Sequence, residues 1–216
     1  GLMHVFAMYK SCDVPLEELL KLFRMLVQGD DNLLSHSRTL LPDWGILLRL
    51  GFKCDNIYRE SILKCQFCSN IIYPVKNKLV FGPKPGRVLA KILCFTNPPL
   101  KLNPFGIARG VALGLAEVST YIEPIKYMCD RIIQLTVGME AIKVNTYEWQ
   151  MTYGVCLPTA ETQLQLINYY HMDSRSLKFV FQRVSNLHLG SVIDEGMIQV
   201  LLDKDTIGPQ CIYNTL

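Results

Sequence analysis

The sequence predicts an α+β chain in two parts: a strand-containing stretch over residues 1–82 and a mainly helical stretch over residues 83–216. Three observations lead there. Runs of strand-forming residues flank tight-turn residues at Gly29 and again at Lys76-Asn77-Lys78, the pattern of two β-hairpins. Gly82-Pro83-Lys84-Pro85-Gly86 is a rigid breaker, and periodicity of about 3.6 residues dominates after it. With 216 residues, 50% of them hydrophobic, the chain is long enough to bury a core.

The elements follow in order. Leu2, Val5, Phe6 and Tyr9 recur at helical spacing, so residues 2–11 read as a buried helix that ends at Cys12-Asp13-Val14-Pro15. A short helix through Glu17, Glu18 and Leu20 follows, with Pro15 near its first turn. Residues 21–28 and 32–37 pair as the first hairpin. Residues 42–50 form a helix with Asp43 in its first turn, an Ile46, Leu47 and Leu50 stripe, and Gly51 at its end. A short strand over 52–57 carries Lys53. The second hairpin spans 63–74 and 79–81.

Beyond the breaker, helices are expected over 87–95, 105–120, 123–136, 158–171, 173–186 and 193–202. In the second of these, Gly106, Gly110 and Gly114 recur every four residues, a spacing that lets another backbone approach closely. Arg109 and Glu117 interrupt that stripe, which argues against a membrane motif.

Composition narrows the function classes. Charged residues make up only 19% and the mean hydropathy is +0.19, more apolar than a typical self-contained soluble domain. No apolar run reaches a membrane span, so the surplus predicts packing against a further segment outside this sequence. Eight cysteines, at 12, 54, 65, 68, 94, 129, 156 and 211, are scattered among apolar residues, as reduced thiols in an intracellular setting are. Cys65-Gln66-Phe67-Cys68 has CxxC spacing, and Cys54 could add a third zinc ligand, but no second pair completes four; strand cysteines facing a core are the alternative.

Charge is segregated. Residues 61–116 contain no Asp or Glu but eight cations: Lys64, Lys76, Lys78, Lys84, Arg87, Lys91, Lys101 and Arg109. The rest of the chain holds 14 basic and 19 acidic residues. A purely basic middle fits a nucleic-acid channel; a solvated basic face on a structural hairpin is the other reading.

The chemistry centres on Leu26-Val27-Gln28-Gly29-Asp30-Asp31-Asn32-Leu33-Leu34. Gly29 permits a tight turn that holds Asp30 and Asp31 side by side at the hairpin tip. Adjacent carboxylates repel unless a cation neutralises them, so a divalent metal is the natural partner, and the apolar flanks predict a buried hairpin. A surface turn with solvated aspartates is the plain alternative. His36 lies too far along the second strand to share such a metal.

In this order, the elements over residues 1–95 resemble the end of the palm and the start of the thumb in RNA-dependent RNA polymerases of positive-strand RNA viruses. Gly29-Asp30-Asp31-Asn32 is similar to their catalytic hairpin, motif C. The 42–50 helix with Gly51-Phe52-Lys53 is similar to motif D, and Phe67-Cys68-Ser69 to motif E, the primer grip. The resemblance is specific over about residues 22–95, and the helical remainder stands where a thumb would be.

That resemblance implies a palm part over 1–82 and a thumb over 83–216. Asp30 would bind catalytic Mg²⁺ or Mn²⁺ with Asp31 assisting, and Lys53, or failing it Lys64, would protonate pyrophosphate. Phe67, Cys68 and Ser69 would meet the primer end, while Lys84, Arg87 and Lys91 would track product-duplex phosphates. It implies RNA template and NTPs as partners, with the remaining fingers and palm, in a cytoplasmic viral replication complex. The family's D-x4-D segment and its Ser-Gly…Thr…Asn ribose-selecting segment are not among these residues. The expectation is therefore a C-terminal third, inactive by itself. A reverse transcriptase, disfavoured by Gln28-Gly29 before the aspartates, and a non-catalytic basic RNA-binding module are the rivals.

Overall fold

A computed structural model describes residues 1–92, 103–142, 156–188 and 196–206, the side chain of Met197 excepted. The chain divides into two contact units, residues 1–70 and 71–216. The expected boundary after residue 82 thus falls twelve residues later than the division of contacts.

The first unit opens with α1 (Leu2–Ser11) and α2 (Leu16–Leu22), followed by β1 (Phe23–Gln28) and β2 (Asp31–His36). The strands pair antiparallel in the register Phe23↔His36 through Gln28↔Asp31. Met8, Leu19, Phe23 and Leu40 are its buried core, with Val5, Met25, Leu34 and Trp44 packed against them. In α1 the buried positions are Ala7 and Met8, whereas Leu2, Phe6 and Tyr9 are exposed, so the expectation that this apolar stripe is the buried face is corrected.

The expected 42–50 helix is shorter, α3 (Gly45–Arg49). The Asp43 carboxylate accepts the Gly45 N–H at 2.8 Å and the Arg49 guanidinium at 2.9 Å. Gly51, at φ +86°, ends it as expected: its N–H reaches the Leu48 carbonyl while the Phe52 N–H reaches that of Leu47, a Schellman closure. The strand expected over 52–57 does not form. That stretch, with Lys53, Asp55 and Asn56 in six residues, is irregular and exposed apart from Cys54. A single 3₁₀ turn (Ile62–Lys64) and β3 (Gln66–Phe67) close the unit.

The second unit holds β4 (Asn70–Val75) from Ile71 onward and β5 (Lys78–Pro83), which are adjacent in one sheet. Lys76 and Asn77 turn the chain with φ of 48° and 60°, the double positive φ of a type I′ hairpin. The helices are α4 (Pro85–Lys91), α5 (Pro104–Ser119), α6 (Glu123–Leu135), α7 (Ala160–Tyr170), α8 (Ser174–Ser185) and α9 (Gly196–Thr206). Residues 93–95 and 193–195 of the expected helices lie outside the described residues.

The hairpin belongs with these helices because its apolar face is in their core. Ile71, Tyr73, Val75 and Val80 are buried together with Ile122, Ile125, Leu166, Val180 and Leu201. Gly82 permits this closeness, since a Cβ there would lie 2.6 Å from the Tyr121 hydroxyl and 2.9 Å from Ile122. Two of the three glycines of the α5 stripe work as their spacing predicts: Gly106 and Gly110 face the backbone of Glu140 and Ile142, and the Ile142 N–H donates to the Gly106 carbonyl at 3.0 Å, whereas Gly114 meets no described backbone.

Candidate functional site

The turn between β1 and β2 has two residues, Gly29 and Asp30. Gly29 sits at φ +60° and Asp30 is not left-handed, the arrangement a type II′ turn requires. Asp31 is the first residue of β2, opposite Gln28. The Asn32 side-chain amide donates to the Asp30 carbonyl at 3.0 Å, which stiffens the tip. Both aspartates are exposed.

Burial of this hairpin is corrected. Leu26 and Val27 are 47% and 41% exposed, because β1 and β2 form a two-stranded ribbon and only its base, at Phe23, enters the core.

A second turn lies beside the first. Cys68 and Ser69 carry φ of 49° and 62°, so a tight two-residue reversal follows β3 instead of the continuous 63–74 strand that was expected. The Cys68 thiol donates to the Gln28 side-chain oxygen at 3.3 Å, across forty residues of sequence. Partial burial pushes that thiol up from its ordinary pKa, and the negative charges of Asp31 and then Asp30 add to the rise. The structure therefore brings Asp30, Asp31 and Cys68 together, with Phe67 and Ser69 the sequence neighbours of that cysteine.

Other expected site residues lie apart. Lys53 is exposed on the irregular segment and, among the described residues, forms no ion pair with either aspartate. Lys64 is held by Glu60 at 2.7 Å. His36 places Nδ1 2.8 Å from the Ser37 carbonyl oxygen, consistent with its exclusion from the carboxylate site.

In the second unit, Lys84 is a correction: it is 8% exposed, too buried to track a duplex phosphate. Burial pushes its ammonium down from its ordinary value, partly countered by Asp205. Arg87 is half-buried and Lys91 exposed, so Lys91 keeps the expected accessibility. Arg109 does not display its charge freely either, since its guanidinium donates to the carbonyls of Ile133 at 2.9 Å and Thr136 at 3.2 Å, capping the end of α6.

Sequence reasoning missed two sets of residues. One is the Asp205 centre: its carboxylate is 6% exposed and accepts from the Gly86 N–H at 2.8 Å, the Arg87 N–H at 3.3 Å and the Tyr170 hydroxyl at 2.5 Å. The other is the outward face of α8, which its i, i+4 rows could have revealed.

For a divalent cation the donor chemistry fits in part. Asp30 and Asp31 offer two hard oxygen donors on adjacent residues, which Mg²⁺ and Mn²⁺ take. Among the described residues no group of three His, Cys, Asp or Glu side chains converges on one point, so neither this turn nor Cys54, Cys65 and Cys68 forms a complete protein cage. Mg²⁺ commonly keeps water and substrate phosphates in such remaining positions. No described helix is long and apolar enough to cross a membrane. Comparison with protein-family models, curated proteins and solved structures finds no match to this chain.

Proposed function

We propose that this chain carries the C-terminal part of the palm and the thumb of an RNA-directed RNA polymerase, with Asp30 and Asp31 as ligands of a catalytic divalent cation. One juxtaposition supports the reading above all: the Gly29-Asp30 turn and the Cys68-Ser69 turn, forty residues apart, meet through the Cys68–Gln28 hydrogen bond. A polymerase needs its metal carboxylates and its grip on the primer end within reach of the same 3′-hydroxyl. In the intact enzyme Mg²⁺ or Mn²⁺ would lower the pKa of that hydroxyl and stabilise the leaving pyrophosphate.

The chain's own residues position. Gly29 sets the turn, Asp30 and Asp31 supply negative charge at an exposed tip, and Phe67, Cys68 and Ser69 flank the primer end. Lys53 is the proposed proton donor to pyrophosphate, while Arg87 and Lys91 contact the RNA backbone. RNA template, NTPs and the rest of the polymerase are the proposed partners, in a replication complex of the host cytoplasm.

Cys68 is a built-in reporter for the test. Burial pushes its thiol up from its ordinary pKa and the charges of Asp31 and Asp30 add to the rise, while alkylation requires the thiolate. At pH 8, millimolar Mg²⁺ should speed iodoacetamide labelling of Cys68 severalfold, read by peptide mass with Cys65 as the internal reference. The D30N/D31N double variant should label faster than the wild type without Mg²⁺ and should not respond to it. Labelling of the wild type that does not respond to Mg²⁺ would sink the metal reading and favour the non-catalytic RNA-binding module.

A further inference from the structure

The strongest unassigned surface is on α8. Its inner face, Leu177, Val180, Phe181 and Val184, is buried in the core of the second unit. Outward it shows two neighbouring i, i+4 rows. One row is Arg175, Phe179 and Arg183, with Phe179 38% exposed and the Arg183 guanidinium 5.2 Å over its ring. The next is Lys178, Gln182 and Asn186, all exposed. No Asp or Glu occurs between residues 174 and 193, so α8 itself carries three cations and no acidic residue, although the Asp173 carboxylate at its N-cap interacts with Arg175.

The second row is also one wall of a groove of about 390 Å³ between α6, α7 and α8. Tyr127 and Phe181, ring centroids 5.5 Å apart, line its aromatic side. The opposite rim is polar. There the Gln163 amide donates to the Glu123 carboxylate at 2.7 Å, and Lys126 and Lys178 lie close enough to oppose the upward shift that burial gives Glu123.

The geometry points to this face as a binding surface for single-stranded RNA. Backbone phosphates lie along Arg175 and Lys178, and one unpaired base enters the groove. A base needs an apolar or aromatic wall plus hydrogen-bonding edges, and Tyr127 with Gln163, Gln182 and Asn186 offers both. A paired A-form duplex has no free base to place there, which selects the single strand. A lipid surface is disfavoured because the apolar side of this basic amphipathic helix is already used in the core, leaving Phe179 as its one exposed large hydrophobic residue. An acidic peptide would use the cations but not the aromatic wall. The surface belongs to the second unit and the carboxylate turn to the first, and the two share no residue.

The test is fluorescence anisotropy of the full chain with a labelled 12-nucleotide single strand and with a hairpin duplex, from 50 to 200 mM salt. The single strand should bind, and its affinity rather than that of the duplex should depend on Gln182 and Asn186. R175Q/K178Q should make the slope of log K against log salt shallower by roughly 1.4, at about 0.7 per lost single-strand phosphate. Q182A/N186A should weaken binding severalfold and leave the slope alone, while D30N/D31N should change neither. Circular dichroism melts of these surface variants should match the wild type. A loss of duplex affinity equal to the loss of single-strand affinity in Q182A/N186A would overturn the proposal, as would an unchanged slope in R175Q/K178Q. Displacement of the single strand by anionic vesicles or polyglutamate, with no effect of Q182A/N186A, would overturn it too.

Discussion

Replacing glycine by alanine should have opposite effects at two helical positions of the second unit. At Gly86, in the first turn of α4, an added Cβ would fall well inside contact distance of the Leu201 carbonyl oxygen on α9 and 2.8 Å from the Asp205 carboxylate. The gain from helix propensity is at most about 1 kcal/mol. Against it, α9 must move outward, and Asp205 loses the Gly86 and Arg87 N–H donors while still buried. At about 1–3 kcal/mol for each such buried bond, the net loss is on the order of 3 kcal/mol. For a unit of this size that lowers the melting temperature by about 6–12 °C. At Gly114, inside α5, no atom of the described residues lies within 4 Å of the added Cβ, so alanine should raise the melting temperature by about 1–4 °C. Thermal melts by circular dichroism at one protein concentration decide it. A Gly86→Ala protein as stable as the wild type, or a destabilised Gly114→Ala protein, would refute the reasoning from close approach.

Two more outcomes follow from the same unit. Thr159 caps α7 in a box with Thr162, each side chain accepting from the other's backbone N–H, so Thr159→Ala should cost about 1 kcal/mol in urea unfolding with an unchanged m-value. Burial raises the Asp205 carboxyl above its ordinary 3.8, against the pull of Tyr170, Gly86 and Lys84. Its proton is thus bound more tightly in the folded state, and the associated stability is complete below 3.8 and lost as pH rises through the raised value. Relative to Asp205→Asn, the wild type should therefore gain melting temperature as pH falls from 7 to 4; a parallel pair of profiles would contradict the assignment.

Much of the fold was legible because it is encoded locally. The helices expected over 105–120, 123–136, 158–171 and 173–186 appear with ends shifted by no more than two residues, since the N-caps Asn103, Thr159 and Asp173 and the first-turn prolines of α5 and α6 are signals read within a few positions. The Gly29 and Lys76-Asn77 turns were legible for the same reason. What failed was long-range. Nothing near Lys84 announces that it will be buried with a carboxylate more than a hundred residues away, and Arg109 reads as a surface cation until the end of α6 arrives to accept its protons. The turn at Cys68-Ser69 was hidden because neither residue is a glycine, although Ser69-Asn70 is turn chemistry. The nearness of Cys68 to Asp31 likewise had no sequence signal.

The Asp205 contact also sets an order of events. Joining Asp205 to Gly86 closes a loop of 119 residues, whereas Ile142 reaches Gly106 across 36. Loop entropy makes the longer closure costlier by about 1 kcal/mol, which favours the α5–Ile142 contact forming ahead of the docking of α9. Interactions completed after the rate-limiting step hold the native state by slowing its opening. Weakening Asp205 or crowding Gly86 would leave the folding rate nearly unchanged and quicken unfolding, which makes α9 the latch that governs how long the second unit survives once folded.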